Sequence, residues 1–219
     1  MKTIAVFDVD GTLISDNIGV TFVKYLNKRR AIHLLPKLLI LVGFSLYKMK
    51  LANFDLAIRL GSLALTGIGM AEASRLAEDC LNAEILPRVF GEAKDEIARL
   101  KSVNAIVIFA TGAHEAIARP FGARLGADQV VCTTSAVRNE TYSWATNDPI
   151  PYRYGKKQLV QATLDCYGDA SDPKTVIVYT DEEKDLPLLE LADQCVGVNP
   201  DEVVAKYVRD RGGRIAIFD

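Results

Sequence analysis

Short apolar runs separated by helical stretches are the feature that most restricts the fold of this sequence. The runs are rich in β-branched residues, which is typical of strands buried on both faces of a sheet. They cover residues 3–7, 105–110, 130–133, 175–180, 195–198 and 214–218. Helical patterns recur between them, near residues 88–101, 114–125, 156–167 and 201–211. This alternation predicts an α/β fold, namely a doubly wound parallel sheet with helices on both faces.

The stretch between the first two apolar runs is helical throughout and contains no convincing strand. We therefore expect an all-helical cap domain, residues 15–81, inserted after the first strand. The discontinuous α/β core would then comprise residues 1–14 and 82–219. A chain of 219 residues can bury enough apolar surface for one good core and a smaller second one.

Residues 31–47 are mostly apolar and follow the basic residues 28–30. Pro36 and Lys37 interrupt this run and leave only residues 38–47, whereas a helix needs about 20 apolar residues to cross a bilayer. We expect a buried or interfacial helix here rather than membrane attachment. The segment could pack within the cap or form the surface between two copies, so the chain is expected to be a monomer or a homodimer.

Charge and cysteine content exclude some function classes. The 26 Lys and Arg against 28 Asp and Glu give a formal net charge of −2, which provides no positive field for nucleic acid. The four cysteines are far apart, and we interpret them as reduced, buried residues of a cytoplasmic protein. They are Cys80, Cys132, Cys166 and Cys195. Acidic residues 8 and 10 interrupt the amino-terminal apolar run before the apolar region of a signal sequence can develop.

The segment DVDGT, residues 8–12, directly follows the first predicted strand. Ligands of open α/β sheets bind beyond the carboxyl ends of the strands, which is where this segment falls. The spacing of Asp8 and Asp10 sends both carboxylates to the same side of an extended chain, and Gly11 permits a sharp turn. Of two such acidic groups, one can act as a nucleophile or hold a cation while the other moves a proton.

Three further segments supply groups of complementary chemistry. TGAH at residues 111–114 and DEEKD at residues 181–185 follow predicted strands, and YGKK at residues 154–157 opens a predicted helix. Hard carboxylate oxygens suit Mg²⁺, whereas a hydroxyl, backbone amides and a lysine suit the oxygens of a phosphate group. The sequence therefore predicts a site for Mg²⁺ and a phosphorylated small molecule.

With these four segments in this order, the sequence resembles the haloacid dehalogenase superfamily of phosphatases. The resemblance is strongest to its phosphoserine phosphatase-like branch, which has an inserted helical cap, and it covers nearly the whole chain. Residues 8–12 match the first motif, 111–112 the second and 181–185 the fourth. Either Lys156 or Lys157 matches the third, and we prefer Lys156 because a leucine and a valine then follow at the positions typical of phosphoserine phosphatases.

The resemblance implies a role for each matching residue. Asp8 would be the nucleophile that forms an aspartyl-phosphate, and Asp10 would protonate the leaving alcohol and then activate water. Asp8, the backbone carbonyl of Asp10 and Asp181 would hold Mg²⁺, with Asp185 behind them. Lys156 would offset the charge shared by Asp8 and the phosphate. The substrate and phosphate contacts would come from Thr12, Thr111, Gly112, Lys156 and Arg59.

The fourth motif departs from the usual family pattern at Glu182 and Lys184, where small or amide residues are common. The spacing of the two aspartates is kept, so we expect metal binding to survive. Lys184 would either pair with Glu182 or remain a solvated surface charge. The departure leaves open a rival function, a binding or regulatory protein that keeps the fold but is catalytically weak.

Several other conspicuous residues have structural interpretations. We expect His33 to be packed in the core and His114 to be a surface or cap-contacting residue rather than a catalytic one. The region 134–153 has no regular pattern, and we expect Tyr142 and Trp144 within it to pack in a β-flap rather than to flank a substrate entrance.

The cap residues bear on the choice of substrate. In phosphoserine phosphatases a glutamate after the first motif meets the substrate amine, and a cap arginine meets its carboxylate. The position of the glutamate corresponds to Asn17 here, and Arg59 is the candidate for the cap arginine. Because Asn17 has no charge for an ammonium group, we rank phosphoserine below an unidentified small phosphomonoester. The apolar residues 31–47 beside basic residues 28–30 add a third candidate, a lipid phosphate such as phosphatidylglycerophosphate.

Overall fold

A single parallel sheet of six strands forms the centre of the protein. The computed structural model describes residues 2–49, 51, 54–168 and 174–219. The sheet strands are β1 (Lys2–Asp8), β2 (Ile106–His114), β3 (Gln129–Thr133), β6 (Lys174–Thr180), β7 (Gln194–Val198) and β8 (Arg214–Ala216). Their order is β3-β2-β1-β6-β7-β8, and every neighbouring pair is parallel. The predicted α/β fold is therefore confirmed.

The sheet is buried on both faces because alternate residues of β1 point into different hydrophobic clusters. Ala5 and Phe7 belong to one cluster, whereas Ile4 and Val6 belong to the other. The ring of Phe7 stacks on Tyr179 of β6 with ring centroids 4.0 Å apart. This packing fixes the register of the central strands, which sets their carboxyl ends side by side.

Five described α-helices that begin after residue 90 complete the layers around the sheet. They are α5 (Gly91–Ser102), α6 (Glu115–Leu125), α7 (Tyr154–Asp165), α8 (Leu186–Leu189) and α9 (Glu202–Asp210). Helix α6 ends as expected at Gly126, whose φ of +85° is accessible to glycine without a steric penalty. Helices α7, α8 and α9 contribute side chains to the cluster that contains Val6, so they cover that face of the sheet.

Four of the described α-helices lie between β1 and α5, as the sequence pattern predicts. They are α1 (Ile18–Lys28), α2 (Leu34–Lys48), α3 (Phe54–Ser62) and α4 (Met70–Cys80). Phe22 and Leu76 from this segment are buried in the same cluster as Phe7 of the sheet, so part of the helical segment shares the main core. The division into a cap of residues 15–81 and a core of the remaining residues stays a prediction.

Helix α2 is not the buried helix that was one of the two expected alternatives, the other being an interfacial helix. Pro36 and Gly43 are buried, but Leu34, Leu35 and Leu41 expose 73%, 68% and 63% of their surface. The helix is apolar nearly all round, and only one side of it meets α3 and the following turn. Within the described residues, no helix has the length and apolar content needed to span a bilayer.

The region that looked irregular contains a two-stranded antiparallel hairpin, formed by β4 (Ser135–Arg138) and β5 (Thr141–Thr146). Tyr142 is buried there against the ring of His114, as expected for a packing residue. Trp144 is 74% exposed, so the expectation that it packs is wrong. On a regular strand Trp144 would face the same side as Tyr142, but the register of β4 and β5 shifts between Ser135 and Val137, so the regular alternation does not extend from Tyr142 to Trp144.

The cysteines and histidines differ in part from their expected environments. Cys80, Cys132 and Cys195 are buried free thiols, whereas Cys166 is exposed because it follows the last turn of α7. His33 precedes α2 and is exposed rather than packed in the core. His114 is the reverse case, since it is 7% exposed and lies inside the fold.

Candidate active site

The predicted site residues come together at one edge of the sheet. Asp8 is the last residue of β1, Thr111 lies in β2 beside it, and Asp181 follows β6 on the other side. Parallel strands bring their carboxyl ends to the same edge, so three separate sequence segments meet there. Motifs that are far apart in the sequence are therefore neighbours at one edge of the sheet.

Lys156 links two buried carboxylates at this edge. Its Nζ atom lies 2.7 Å from Oδ1 of Asp8 and 2.8 Å from Oδ2 of Asp185. Thr180, the last residue of β6, also donates a hydrogen bond to Asp185 over 3.0 Å. Burial alone lowers the pKa of Lys156, but Asp185 and Asp8 outweigh it and raise the pKa above the usual lysine value. The lysine is therefore held as an ammonium ion against Asp8.

The neighbouring Lys157 points elsewhere and pairs with Glu190 at 2.6 Å on the partly exposed side of α7. A helix turns by about 100° per residue, so only one of two adjacent lysines can face the sheet. Gly155 brings the first turn of α7 close, because a Cβ atom at that position would overlap with the carbonyl oxygen of Ile150. Gly155 was not among the predicted site residues, although a glycine beside a lysine at the start of a helix is visible in the sequence.

Asp10 is oriented by two hydrogen bonds. The backbone N–H of Ile18 donates to its Oδ1 atom over 2.8 Å, and the hydroxyl of Thr111 donates to Oδ2 over 3.3 Å. The Thr111 hydroxyl also accepts a hydrogen bond from the backbone N–H of Ala113. Thr111 and Asp10 are thus directly coupled, which the sequence spacing of the two motifs did not reveal.

Thr111 and Gly112 were expected to follow a strand, but they lie within the irregular carboxyl end of β2. The register between β2 and β3 shifts between Ala110 and His114, and α6 begins only at Glu115. A Cβ atom on Gly112 would lie 3.0 Å from Cδ1 of Ile58, so helix α3 approaches the backbone of this segment closely. A side chain larger than that of glycine would crowd Ile58 here.

The turn after β1 holds Asp181 in place. Gly11 has a φ of +89°, and a Cβ atom there would overlap with the Asp181 carboxylate. The hydroxyl of Thr12 donates to Oδ1 of Asp181 over 2.8 Å. Thr12 is completely buried, so its hydroxyl is directed at Asp181, and its predicted contact with phosphate stays a prediction. On the other side, the carbonyl of Asp181 accepts a hydrogen bond from the N–H of Asp201.

Burial raises the pKa values of the clustered carboxyl groups. It raises the pKa of Asp8 well above the ordinary value against the opposing effect of Lys156, with Asp185, Asp181 and Asp10 adding repulsion. Burial likewise raises the pKa of Asp10 to about 6 and that of Asp181 to about 6. Four carboxyl groups in or beside this site face a single buried ammonium group, Lys156, so negative charge is in excess.

That excess fits a bound cation, although the ligands are not arranged around a common point. Among the residues that the structure describes, no group of three or more His, Cys, Asp and Glu side chains is positioned to hold a metal ion. The hydrogen bonds from Lys156 and Thr12 use the Oδ1 atoms of Asp8 and Asp181, so they do not occupy either Oδ2 atom. These are hard oxygen donors of the kind that Mg²⁺ prefers.

His114 has a structural position rather than a place among the clustered carboxylates. Its Nδ1 atom accepts a hydrogen bond from the N–H of Ala116 and so caps α6, and its Nε2 atom lies 2.9 Å from the hydroxyl of Ser135. The Nδ1 atom can accept only when it carries no proton, so Nε2 is the protonated nitrogen. Burial lowers the pKa of His114 to about 4. The expectation of a surface position is wrong, and the alternative of a contact with the predicted cap stays a prediction.

The two residues predicted to recognise phosphoserine are engaged within the protein. Asn17 caps α1 through a 2.8 Å hydrogen bond from the N–H of Val20. Arg59 binds Asp55 at 3.0 Å, the hydroxyl of Thr146 at 3.1 Å and the carboxylate of Asp148. Arg59 therefore connects α3 to the hairpin, and its contact with a substrate stays a prediction.

The two unusual residues of the fourth motif contact each other, as one of the expected alternatives has it. Lys184 pairs with Glu182 at 2.8 Å, and both side chains are 38% exposed. The positive charge of Lys184 thereby offsets the added carboxylate beside Asp181.

Comparisons with known proteins agree with the motif order. The sequence model of haloacid dehalogenase-like hydrolases matches residues 5–190. A probable phosphatase of Mycobacterium tuberculosis is 26% identical, with 99% of this chain and 76% of that protein covered. A phosphoserine phosphatase of the same organism is 24% identical, with coverage of 98% and 70%.

Solved structures share the fold. A protein of unknown function from Bordetella pertussis Tohama I superimposes with a TM-score of 0.88 at 18% identity, covering 99% of this chain and 98% of that one. A substrate-bound phosphoserine phosphatase gives a TM-score of 0.64 at 12% identity, with coverage of 98% and 93%. The expected membership among the phosphatases of this superfamily is confirmed, and the chain belongs to the haloacid dehalogenase-like hydrolase family.

Proposed function

We propose that this phosphatase hydrolyses a small phosphomonoester in a Mg²⁺-dependent reaction that passes through an aspartyl-phosphate on Asp8. The observation that carries the proposal is the buried contact of 2.7 Å between Lys156 and Asp8, at the sheet edge where Asp10, Thr111 and Asp181 also lie. An ammonium group fixed on a buried carboxylate offsets the charge that accumulates when a phosphate dianion approaches that carboxylate.

In the first step, a carboxylate oxygen of Asp8 forms a bond to phosphorus while the bond from phosphorus to the substrate's ester oxygen breaks. The carboxyl group of Asp10 gives its proton to the departing alkoxide. In the second step, Asp10 takes a proton from water as the water oxygen bonds to phosphorus and the bond to Asp8 breaks. The hydrogen bonds from Ile18 and Thr111 support this role, because they hold the Asp10 carboxyl in one orientation.

The phosphate oxygens would contact the Thr111 hydroxyl, the Gly112 N–H and Lys156. The carboxylates of Asp8 and Asp181 and the backbone carbonyl of Asp10 would hold Mg²⁺, with Asp185 behind them. Bound there, the ion would neutralise charge on the phosphoryl group and so reduce its repulsion from Asp8. The excess of carboxylates over ammonium groups at the sheet edge supports a cation at this place.

We rank phosphoserine below an unidentified small phosphomonoester. Asn17 has no charge for an amine, and Arg59 already binds Asp55 and Asp148. Helices α1–α4 would act as the cap that selects the leaving group, with boundaries at residues 15 and 81. A lipid phosphate remains a second candidate, because α2 exposes several leucines beside basic residues 28–30.

The test is phosphate release by the purified full chain with Mg²⁺ across a panel of phosphomonoesters. We expect turnover that EDTA abolishes and Mg²⁺ restores, and that Asp8→Asn reduces by at least about 1000-fold. The matched control is Asp95→Asn, the same isosteric change at an exposed position of α5. No release from any ester, or equal turnover by Asp8→Asn, would reject the proposal in favour of a binding protein.

A further inference from the structure

The surface of the first two helices has an unusual charge distribution. Residues 17–54 contain seven Lys and Arg and no Asp or Glu, although the whole chain has a formal net charge of −2. This segment therefore has a formal charge of +7, and the rest of the protein has a formal charge of −9. Such a separation makes one region of the protein attractive to anions and the remainder repulsive to them.

The same region exposes a large apolar surface. On α2, the side chains of Leu34, Leu35, Leu38, Leu41 and Val42 expose between 51% and 73% of their area. Ser45 of the same helix is also exposed, and its hydroxyl donates a hydrogen bond to the carbonyl of Leu41. Contiguous apolar patches of this kind are rare on soluble monomers unless they bind a partner or a membrane.

Cations border this apolar face. Lys24, Arg30 and Lys37 are exposed, and Arg29 is held on Tyr25 by hydrogen bonds of 2.7 and 3.0 Å to its hydroxyl. Lys28 belongs to the same group of basic residues. Within the described part of the chain, the ion pairs of this group are limited to a long contact of 3.9 Å between Lys28 and Glu84. The charges are thus available to an external anionic surface.

We propose that α2 docks the protein on the surface of an anionic lipid bilayer, with its leucines in the acyl-chain boundary and the basic residues among the headgroups. The 15 residues of α2 extend about 22 Å, which is too short to span a bilayer and suits a helix that lies in its plane. Its other side remains packed on α3.

Charge complementarity favours a bilayer over a second copy of the chain. In a two-fold symmetric dimer the same patch meets itself, so the basic residues 24–37 of one copy would face those of the other. Like charges opposed across an interface disfavour association, whereas anionic headgroups supply the missing counter-charge. The exposed apolar area and the bordering cations therefore both favour an anionic bilayer as the partner of α2.

The test is co-sedimentation of the full chain with vesicles of phosphatidylcholine, alone or with 30 mol% phosphatidylglycerol, a mixture chosen at roughly the anionic content at which basic segments bind. We expect binding to the mixed vesicles that weakens as salt rises. Each of Arg30→Gln and Lys37→Gln should reduce the partition coefficient about fivefold. The double variant Leu38→Ser/Leu41→Ser should reduce it at least about tenfold.

The control variants remove a charge or an apolar side chain at exposed positions outside α1 and α2. Lys94→Gln and Lys206→Gln remove exposed charges from α5 and α9, and Val103→Ser removes an apolar side chain that is 60% exposed. These variants should bind as the wild type does, and thermal unfolding should show that all variants are folded. Asp8→Asn should also bind normally, because docking does not depend on the proposed phosphatase reaction.

Two results would overturn the proposal. One is binding to mixed vesicles that is absent, or that the α2 variants leave unchanged. The other is a dimer, seen by sedimentation equilibrium, which the double leucine variant converts to a monomer while the wild type fails to bind vesicles. That second result would assign the α2 surface to another copy of the chain.

Discussion

The Nζ atom of Lys156 lies 2.7 Å from Oδ1 of Asp8 and is only 2.8 Å from Asp185 on its other side. The side chains involved are at most 6% exposed, so water screens this contact very little. Removing the ammonium group would leave two buried carboxylates facing each other. The site should therefore depend strongly on this one cation both for folding and for accepting a phosphate dianion.

Lys156→Met should reduce kcat/KM for phosphomonoesters at least about 100-fold, because the charge that offsets the phosphate is lost. It should also lower the free energy of unfolding by about 3 kcal/mol, since buried charge is left without a partner. Steady-state kinetics and urea unfolding measure the two effects. The control is Lys157→Met, which removes a partly exposed pair with Glu190 and should cost less than about 1 kcal/mol. A larger kinetic loss in Lys157→Met would contradict the assignment of Lys156.

Gly11→Ala should impair catalysis beyond its effect on stability. At a φ of +89° an alanine costs about 1–2 kcal/mol, and its Cβ atom would also displace the Asp181 carboxylate. A displacement of about 1 Å at a reacting site can reduce the rate about 100-fold. Gly126→Ala is the matched control, because its φ is +85° but its Cβ atom would enter open space. We therefore expect a lower kcat for Gly11→Ala than for Gly126→Ala, with the free energy of unfolding measured for both variants. Equal kcat values would show that Asp181 had not been disturbed.

The buried imidazole of His114 should make stability fall in mildly acidic solution. Burial lowers its pKa to about 4, whereas an unfolded histidine titrates near 6.5. Between these values the unfolded chain binds a proton that the folded chain does not, so the free energy of unfolding decreases as the pH falls from 6.5 to 4. The groups around the ring are Ser135, Tyr142 and Glu115, and the last of these also pairs with Arg119.

His114→Asn removes the titrating group and should be less stable than the wild type at pH 7.5. The difference should narrow by an amount on the order of 3 kcal/mol as the pH falls to 4.5, which urea unfolding at several pH values measures. Ser135→Ala removes the hydrogen bond but keeps the imidazole, so its difference from the wild type should change much less. A constant difference between His114→Asn and the wild type would mean that the ring does not exclude its proton.

The strands and the site edge could be predicted because their signals are local. β-branched runs such as residues 175–180 become buried strands, and the carboxyl ends of parallel strands must meet, so Asp8 and Asp181 were placed near each other by sequence alone. The register shift near Thr111 could not be predicted from the sequence, because it depends on how β2 pairs with β3. The choice between adjacent lysines followed family spacing, and the helix phase at Lys156 supports it.

Exposure was the property that sequence patterns predicted least well. For an apolar helix such as α2 the sequence left open whether it is buried or interfacial, because hydrophobicity reports the preference of a side chain and not the presence of a neighbour. A lone histidine is equally ambiguous: His33 is exposed before α2 and His114 is buried beneath the hairpin, the opposite of the expectation for both. Tertiary contacts between distant segments decide these positions.

Arg59 provides a test of the cap's role in substrate choice. Asp55, Thr146 and Asp148 already bind its guanidinium group, so Arg59→Gln should lower kcat/KM for phosphoserine and glycerol 3-phosphate by factors that agree within about threefold. The loss should accompany a lower melting temperature, because α3 is no longer connected to the hairpin. Asp148→Asn, which weakens the same connection and keeps the arginine, should affect both substrates in the same direction. If Arg59→Gln abolished only phosphoserine turnover while Asp148→Asn increased it, the arginine would be a substrate ligand after all.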